Sequence, residues 1–110
     1  MPPRAFQIQS HDNVATLIDD APVGPVTILG ATPGEIIARE SISRGHKIAL
    51  REIIAQQPII KFGVSIGHAT QIIQPGAWIH LHNLASDFDE RSATLDLHSG
   101  APTDTSSAYV

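Results

Sequence analysis

Ile72-Ile73-Gln74-Pro75-Gly76-Ala77-Trp78-Ile79 decides how this chain is read, because Ile53-Ile54-Ala55-Gln56-Gln57-Pro58-Ile59-Ile60 repeats its plan upstream. Each stretch sets an Ile pair, a polar turn and a second apolar pair in a row. Leu17-Ile18-Asp19-Asp20-Ala21-Pro22-Val23-Gly24-Pro25-Val26 reads as a looser third copy. A strand, a tight turn and a strand at this spacing imply a compact, barrel-like pile of short hairpins and loops. Three copies separated by dissimilar segments are too irregular for a solenoid.

Working outward, the apolar residues from Ala5 to Ala85 come in short Ile- and Val-rich runs broken by Gly, Pro, Asp and Asn, the punctuation of strands and turns. Strands are expected at Phe6–Gln9, Asn13–Ile18, Val26–Leu29, His46–Ile53, Ile59–Phe62, Ala69–Ile72 and Trp78–Leu81, with a turn at Ser41–Gly45. Gly34–Ser43 has a weak helical period but is short and poor in Leu and Ala, so it is read as a strand. The fold class is therefore all-β, with a domain over residues 5–85. Residues 86–110 change character: Asp87, Asp89, Glu90 and Arg91 precede Gly100-Ala101-Pro102-Thr103-Asp104-Thr105-Ser106-Ser107. That stretch is too polar to offset its ordering entropy and is expected to be a mobile tail.

Composition removes several function classes. A net charge of -4 with seven scattered Lys and Arg cannot neutralise a run of phosphates, which excludes a nucleic-acid surface. The absence of Cys removes disulfides, thiolate zinc sites and thiol nucleophiles, and it fits a reducing compartment. No apolar run approaches the roughly 20 residues of a membrane span, and the N-terminus lacks a signal peptide, so the expected location is cytoplasmic with no membrane partner. There is no Gly-x-Ser-x-Gly elbow, and Leu29-Gly30-Ala31-Thr32-Pro33-Gly34 lacks the Lys and helix of a phosphate loop. Hydrolase and nucleotide readings fall away.

Four ordered motifs remain: Gly45-His46-Lys47-Ile48-Ala49-Leu50-Arg51, Ile60-Lys61-Phe62-Gly63, Ile66-Gly67-His68-Ala69-Thr70 and Gly76-Ala77-Trp78-Ile79-His80-Leu81-His82-Asn83. With His11-Asp12-Asn13-Val14-Ala15 before them, the run from Ile8 to Leu84 resembles the SAF domain of the altronate and galactarate dehydratase family. The resemblance implies a β-clip fold of short curled strands. It also implies a split enzyme, because the chain stops soon after the His-x-His-Asn run, as in altronate dehydratase small subunits and the alpha subunit of sulfolactate sulfo-lyase. Gln57 departs from the family, which commonly has Gly in the turn before the apolar pair, so its turn type stands apart.

Six His in so short a chain direct attention to where they fall. His80 and His82, two apart in an expected strand, should leave one face while Ile79 and Leu81 enter the core. With Asn83 they suit a substrate carboxylate. They are also the candidates for any metal contact, although two imidazoles alone do not close a metal site. His11 beside Asp12 offers a base or ligand held by a carboxylate, against the simpler reading of turn chemistry. Lys47 is expected to face outward from its strand and, with Lys61, to neutralise a substrate carboxylate and steady an enolate-like intermediate; two ordinary surface lysines are the plainer reading. His68 reads as surface or packing, and His98 falls in the tail.

The resemblance then implies a hydro-lyase acting on a sugar acid or similar hydroxy-carboxylate. A proton α to the carboxylate is removed and the β-hydroxyl, or sulfite in the sulfolactate case, is expelled. On this reading His11, Asp12 and Lys47 serve catalysis, and Lys61, His80, His82 and Asn83 bind substrate. A divalent metal, iron or manganese, is expected mainly on a large partner subunit that the activity requires. A homo-oligomer stays open. The competing readings are a non-catalytic module that stabilises the large subunit and a free-standing carbohydrate-binding domain.

Overall fold

The computed structural model describes residues 2–86, and every regular element among them is a strand. The expected tail, His98 included, lies outside the described residues apart from Ser86. Nine strands form in chain order: β1 Arg4–Gln7, β2 Val14–Leu17, β3 Gly24–Gly30, β4 Gly34–Ala38, β5 Lys47–Ala49, β6 Pro58–Lys61, β7 Val64–Ala69, β8 Trp78–Ile79 and β9 Leu84–Ala85. They make a six-stranded sheet ordered β4-β3-β1-β2-β5-β8 and a three-stranded sheet ordered β6-β7-β9. The large sheet curls until its edges approach each other: the Arg39 N–H donates to the Gly76 carbonyl at 2.9 Å, and the Trp78 N–H to Glu40 Oε2 at 3.0 Å. The all-β class and the short curled strands are as the sequence implies, and Gly34–Ala38 is a strand rather than a helix.

Register explains how so small a chain builds two cores. Ala5 pairs with Leu17, Ala15 with Ile48 and Ile48 with Trp78, so these side chains share the concave face. There they pack with Val26, Ile28, Ala38 and Ile42 in the first core. Val14 pairs with Ala49 on the opposite face, where the second core adds Ile53, Ile59, Ala69, Ile73, Ile79 and Leu84. Strand β5 is thus a shared wall with apolar packing on both sides, and Lys47, Ile48 and Ala49 are all buried.

The repeated turn is the device that folds the wall. Ser43–His46, Ile54–Gln57 and Gln74–Ala77 each close an i to i+3 hydrogen bond of 3.1 Å. Their third residues, Gly45, Gln56 and Gly76, have φ of 88°, 76° and 87°. A positive φ there with Pro75 at the second position is the type II pattern. Each turn is clasped by one buried residue that both accepts from the positive-φ N–H and donates to the next carbonyl. Leu17 clasps the first turn (2.8 and 2.8 Å), Ala69 the second (2.8 and 2.9 Å) and Ala49 the third (2.8 and 3.0 Å).

Two expectations about this repeat are corrected. The third copy is Ser41–Lys47, not Leu17–Val26; the latter instead supplies Ala21, the bridge partner of Ile42, just as Ile53 bridges Ile73. And the residue that stands where a glycine belongs is Gln56, not Gln57, whose Oε1 accepts the Ile54 N–H at 3.0 Å.

Strand ends also move for identifiable reasons. The expected Ala69–Ile72 strand is Val64–Ala69, because Phe62 and Gly63, at φ of 64° and 71°, form a two-residue hairpin turn that returns the chain at once. The His46–Ile53 run stops at Ala49, after which Leu50 N donates to the Asn13 carbonyl and Ile53 joins the bridge to Ile73. Trp78–Leu81 stops at Ile79, where Asn83 takes over the backbone. Among the described residues no helix is long and apolar enough to cross a membrane, which says nothing of β-barrels.

Candidate functional site

The pairing of β5 with β8 sets Lys47 opposite Ile79 and Ile48 opposite Trp78. It thereby gathers the residues just before β5 and just after β8. Trp78 lies at the centre of three imidazole rings. His80 stacks on it at 5.2 Å and 11°, His82 tilts against it at 5.0 Å and 44°, and His46 tilts at 5.7 Å and 59°. His46 and His80 meet at 5.1 Å. The indole Nε1–H donates to His46 Nδ1 at 3.1 Å, and since indole nitrogen only donates, His46 carries its proton on Nε2.

His80 and His82 do share a cluster, but not by the expected strand alternation. Beyond Ile79 the chain turns, Leu81 is 62% exposed rather than in the core, and Asn83 holds the turn. Asn83 Oδ1 accepts the His80 N–H at 3.0 Å and Nδ2 donates to the Trp78 carbonyl at 2.9 Å. Its buried amide thus serves the backbone, an Asx-type closure that brings both imidazoles back over Trp78. His80 Nδ1 is buried and has no hydrogen-bond partner. Burial, then the proximity of His46, Lys47 and His82, lowers the His80 pKa, favouring a neutral ring.

Lys47 is corrected most sharply: it is 2% exposed rather than facing solvent, because it lies on the β5 face that the second core covers. Burial first, and the nearby Lys61 charge second, lower its pKa to about 8. Lys61, half-buried at the end of β6, is therefore within electrostatic reach of Lys47, which in turn acts on His80. Lys47 thus lies within electrostatic reach of Lys61 on one side and of His80 on the other, and His80 of His82. His46 and Trp78 join them, and were signalled only by the Trp78-x-His80-x-His82 spacing and by the pairing of their two strands.

The His11–Asp12 pair is placed differently. His11 is exposed, while Asp12 is 1% exposed and its carboxylate accepts three backbone N–H groups: Gln9 and Phe62 on Oδ2 (3.0 Å each) and Gly63 on Oδ1 (2.7 Å). Two of those belong to the left-handed Phe62-Gly63 turn, so Asp12 fixes the β6–β7 hairpin. Among the described residues no three His, Asp or Glu side chains are grouped to hold a metal ion. His46 Nδ1 is also occupied by the indole. The imidazoles of this cluster do not fit a metal centre by themselves.

Residues 3–87 match the family model described as the altronate/galactarate dehydratase SAF domain. Altronate dehydratase of Bacillus subtilis is 36% identical over 97 residues, covering 88% of this chain and 18% of that protein. Galactarate dehydratase (L-threo-forming) of Escherichia coli is 39% identical over 79 residues, 70% of this chain and 14% of that protein. The (2R)-sulfolactate sulfo-lyase subunit alpha of Chromohalobacter salexigens is 32% identical over 89 residues, 68% of this chain and 94% of that subunit. The chain therefore spans only a small part of the dehydratases it matches, and nearly all of the sulfo-lyase subunit.

Proposed function

Because the chain belongs to the altronate/galactarate dehydratase SAF-domain family, we propose that it is the small subunit, or the N-terminal-type module, of a cytoplasmic hydro-lyase that dehydrates a sugar acid. The observation that carries the reading is its coverage of 94% of a relative named as a lyase subunit. A large subunit completes the active site. The reaction removes the proton α to the carboxylate and expels the β-hydroxyl as water, and the resulting enol tautomerises to a 2-keto-3-deoxy acid.

In this chemistry Lys61 faces the substrate carboxylate and the charge that grows on it as the α-proton leaves, and the buried Lys47 adds its charge from within the fold. Lys47, with its pKa near 8, is also suited to move a proton near neutral pH. His80 and His82 contact the substrate hydroxyls, His80 Nδ1 being a buried acceptor or donor awaiting a partner. His11 lies at the exposed edge of the same module. Asp12 and Asn83 act as positioning residues, since their polar atoms are occupied by backbone. Iron or manganese, the metal this reading calls for, would supply Lewis acidity when bound, with its main ligands on the large subunit; among the described residues no three His, Asp or Glu side chains are grouped to hold it.

The near-complete coverage of the sulfo-lyase subunit favours a second reading, in which the leaving group is sulfite rather than water. Reconstitution separates these. The chain co-expressed with a large subunit is assayed on altronate, galactarate and sulfolactate; turnover of either sugar acid supports the first reading, and turnover of sulfolactate alone the second. Lys47→Met and His80→Ala are expected to lower the rate at least 100-fold in an intact complex. An unchanged rate would reduce the chain to a stabilising module, and full turnover by the isolated chain would sink the subunit assignment.

A further inference from the structure

The ring cluster sits near the start of β5, where Thr16 pairs with Lys47. The opposite end of the large sheet, where Gln7 pairs with Gly30 and Val14 with Ala49, is built quite differently. There the concave face opens into a cleft of about 270 Å³ whose floor is the uncovered end of the first core, Ile28, Ile36 and Leu50. Its walls are two loops tied together by one buried side chain. Gln7 Nε2 donates to the Asp12 carbonyl at 3.0 Å, while Gln7 Oε1 accepts the Thr32 N–H at 2.9 Å. The two loops are thus held together by backbone groups and one buried amide.

Arg51 stands at its rim. One guanidinium nitrogen, Nη2, donates to the same Asp12 carbonyl at 2.9 Å, which holds that nitrogen at the rim. No carboxylate is seen pairing with it among the described residues: Asp12's own is taken up by three backbone N–H groups, and Asp19 pairs with Arg4. Its remaining N–H groups keep the geometry that matches a carboxylate. Ser10, Thr32 and Glu35 line the same cleft with hydroxyls and a hydroxyl acceptor.

We propose that this cleft is a binding site for a small hydroxy-carboxylate, held by its carboxylate on Arg51, its C–H face on Leu50 and Ile36, and its hydroxyls toward Thr32 and Glu35. The site is separate from the Lys47–His80 cluster and does not depend on the function assigned to it. Occupancy there would couple a free acid to the loop that carries Asp12, and through it to the β6–β7 hairpin that carries Lys61.

The test is an amide ¹⁵N–¹H titration of the full chain with sodium gluconate, with sorbitol as the uncharged control of the same length. Saturable shifts are expected at Thr32–Ile36 and Leu50–Arg51 with roughly millimolar affinity, and none with sorbitol. Arg51→Gln should weaken binding at least tenfold. Gly34→Val supplies a variant independent of Arg51: the Gly34 φ is not left-handed, a Cβ there meets nothing within 4 Å, and its position opposite Ile28 directs it at the cleft floor. It should fold normally and bind at least tenfold more weakly. Absent or non-saturating shifts, shifts confined to His46, Trp78 and His80, equal response to sorbitol, or full affinity in Gly34→Val would each overturn the site.

Discussion

The two ends of the curled sheet use polar side chains in opposite ways. At the cleft end, Gln7, Asp12 and Asn13 direct their polar atoms at backbone: Asp12 takes three N–H groups, and Asn13 Oδ1 accepts from Ile60 N at 2.7 Å while Nδ2 donates to the Pro58 carbonyl at 3.0 Å. At the ring end, three imidazoles pack on an indole, His80 Nδ1 is buried without a partner, and the Lys47 side chain is buried within electrostatic reach of His80. A side chain that satisfies backbone lowers the free energy of the fold, whereas a buried polar atom without a partner raises it. The difference teaches where each end's residues act: the first set holds loops in place, and the second keeps chemistry available at a cost in stability.

The comparison breaks most easily at Asp12. Replacing it with Ala strands three N–H groups, two of them in a left-handed turn, and is expected to cost about 3 kcal/mol. Urea unfolding should show it, with activity of the reconstituted complex falling only in proportion to the folded fraction. If stability held while activity vanished, Asp12 would belong with the chemistry after all.

Lys47 gives the converse result through pH. Its folded pKa is about 8 against the ordinary 10.5, so below pH 8 both states carry the charge and the fold bears the whole desolvation penalty. Between pH 8 and 10.5 the folded state sheds its proton first, and stability should rise with pH, by at most about 3 kcal/mol. The difference between wild type and Lys47→Met, measured by denaturation across that range, isolates the effect; a difference that stays flat would mean the ammonium is fully compensated. His80, also lowered, works at the acid end: stability is lost as pH falls below about 6.5 toward its folded pKa.

These two residues also mark what was legible in the sequence. The Ile-pair repeat and the Gly-Pro punctuation carried the all-β class, since period and turn chemistry are local. Lys47 was expected outside because a strand normally has one wet face; only the register of β5 between β2 and β8 reveals a strand walled on both sides. His80 and His82 were placed together correctly for an incorrect reason, strand alternation, where a turn held by Asn83 does the work. Asp12 illustrates the same limit. Its partners Phe62 and Gly63 are some 50 residues away in sequence, and no local pattern announces such a contact.

A smaller change sharpens the ring end alone. Trp78→Phe keeps an aromatic face for His80 and His82 but removes the N–H that His46 Nδ1 accepts, at a cost of about 1 kcal/mol. Long-range ¹⁵N–¹H correlation of the imidazoles should show His46 as the Nε2–H tautomer in the wild type and as a mixture in the variant. A wild-type spectrum of the Nδ1–H form would remove the indole from the role assigned to it.

The smallest expected effect lies away from both ends, and serves as their common reference. Gln56 holds φ of 76° in a turn whose two siblings use Gly45 and Gly76 at the same place. The siblings differ in freedom: a Cβ on Gly76 would collide with the Ile37 carbonyl, so that turn is closed to any side chain, whereas Gln56 carries one and bears only the left-handed backbone cost. Gln56→Gly should therefore stabilise the domain by up to about 1 kcal/mol, less what glycine adds to the entropy of the unfolded chain. The melting temperature should rise by a few degrees, with no change in ring-end tautomers or cleft affinity. A loss of stability would show that the Gln56 side chain contributes packing that outweighs its strain, and the equivalence of the three turns would fail at the one position where the sequence departs from glycine.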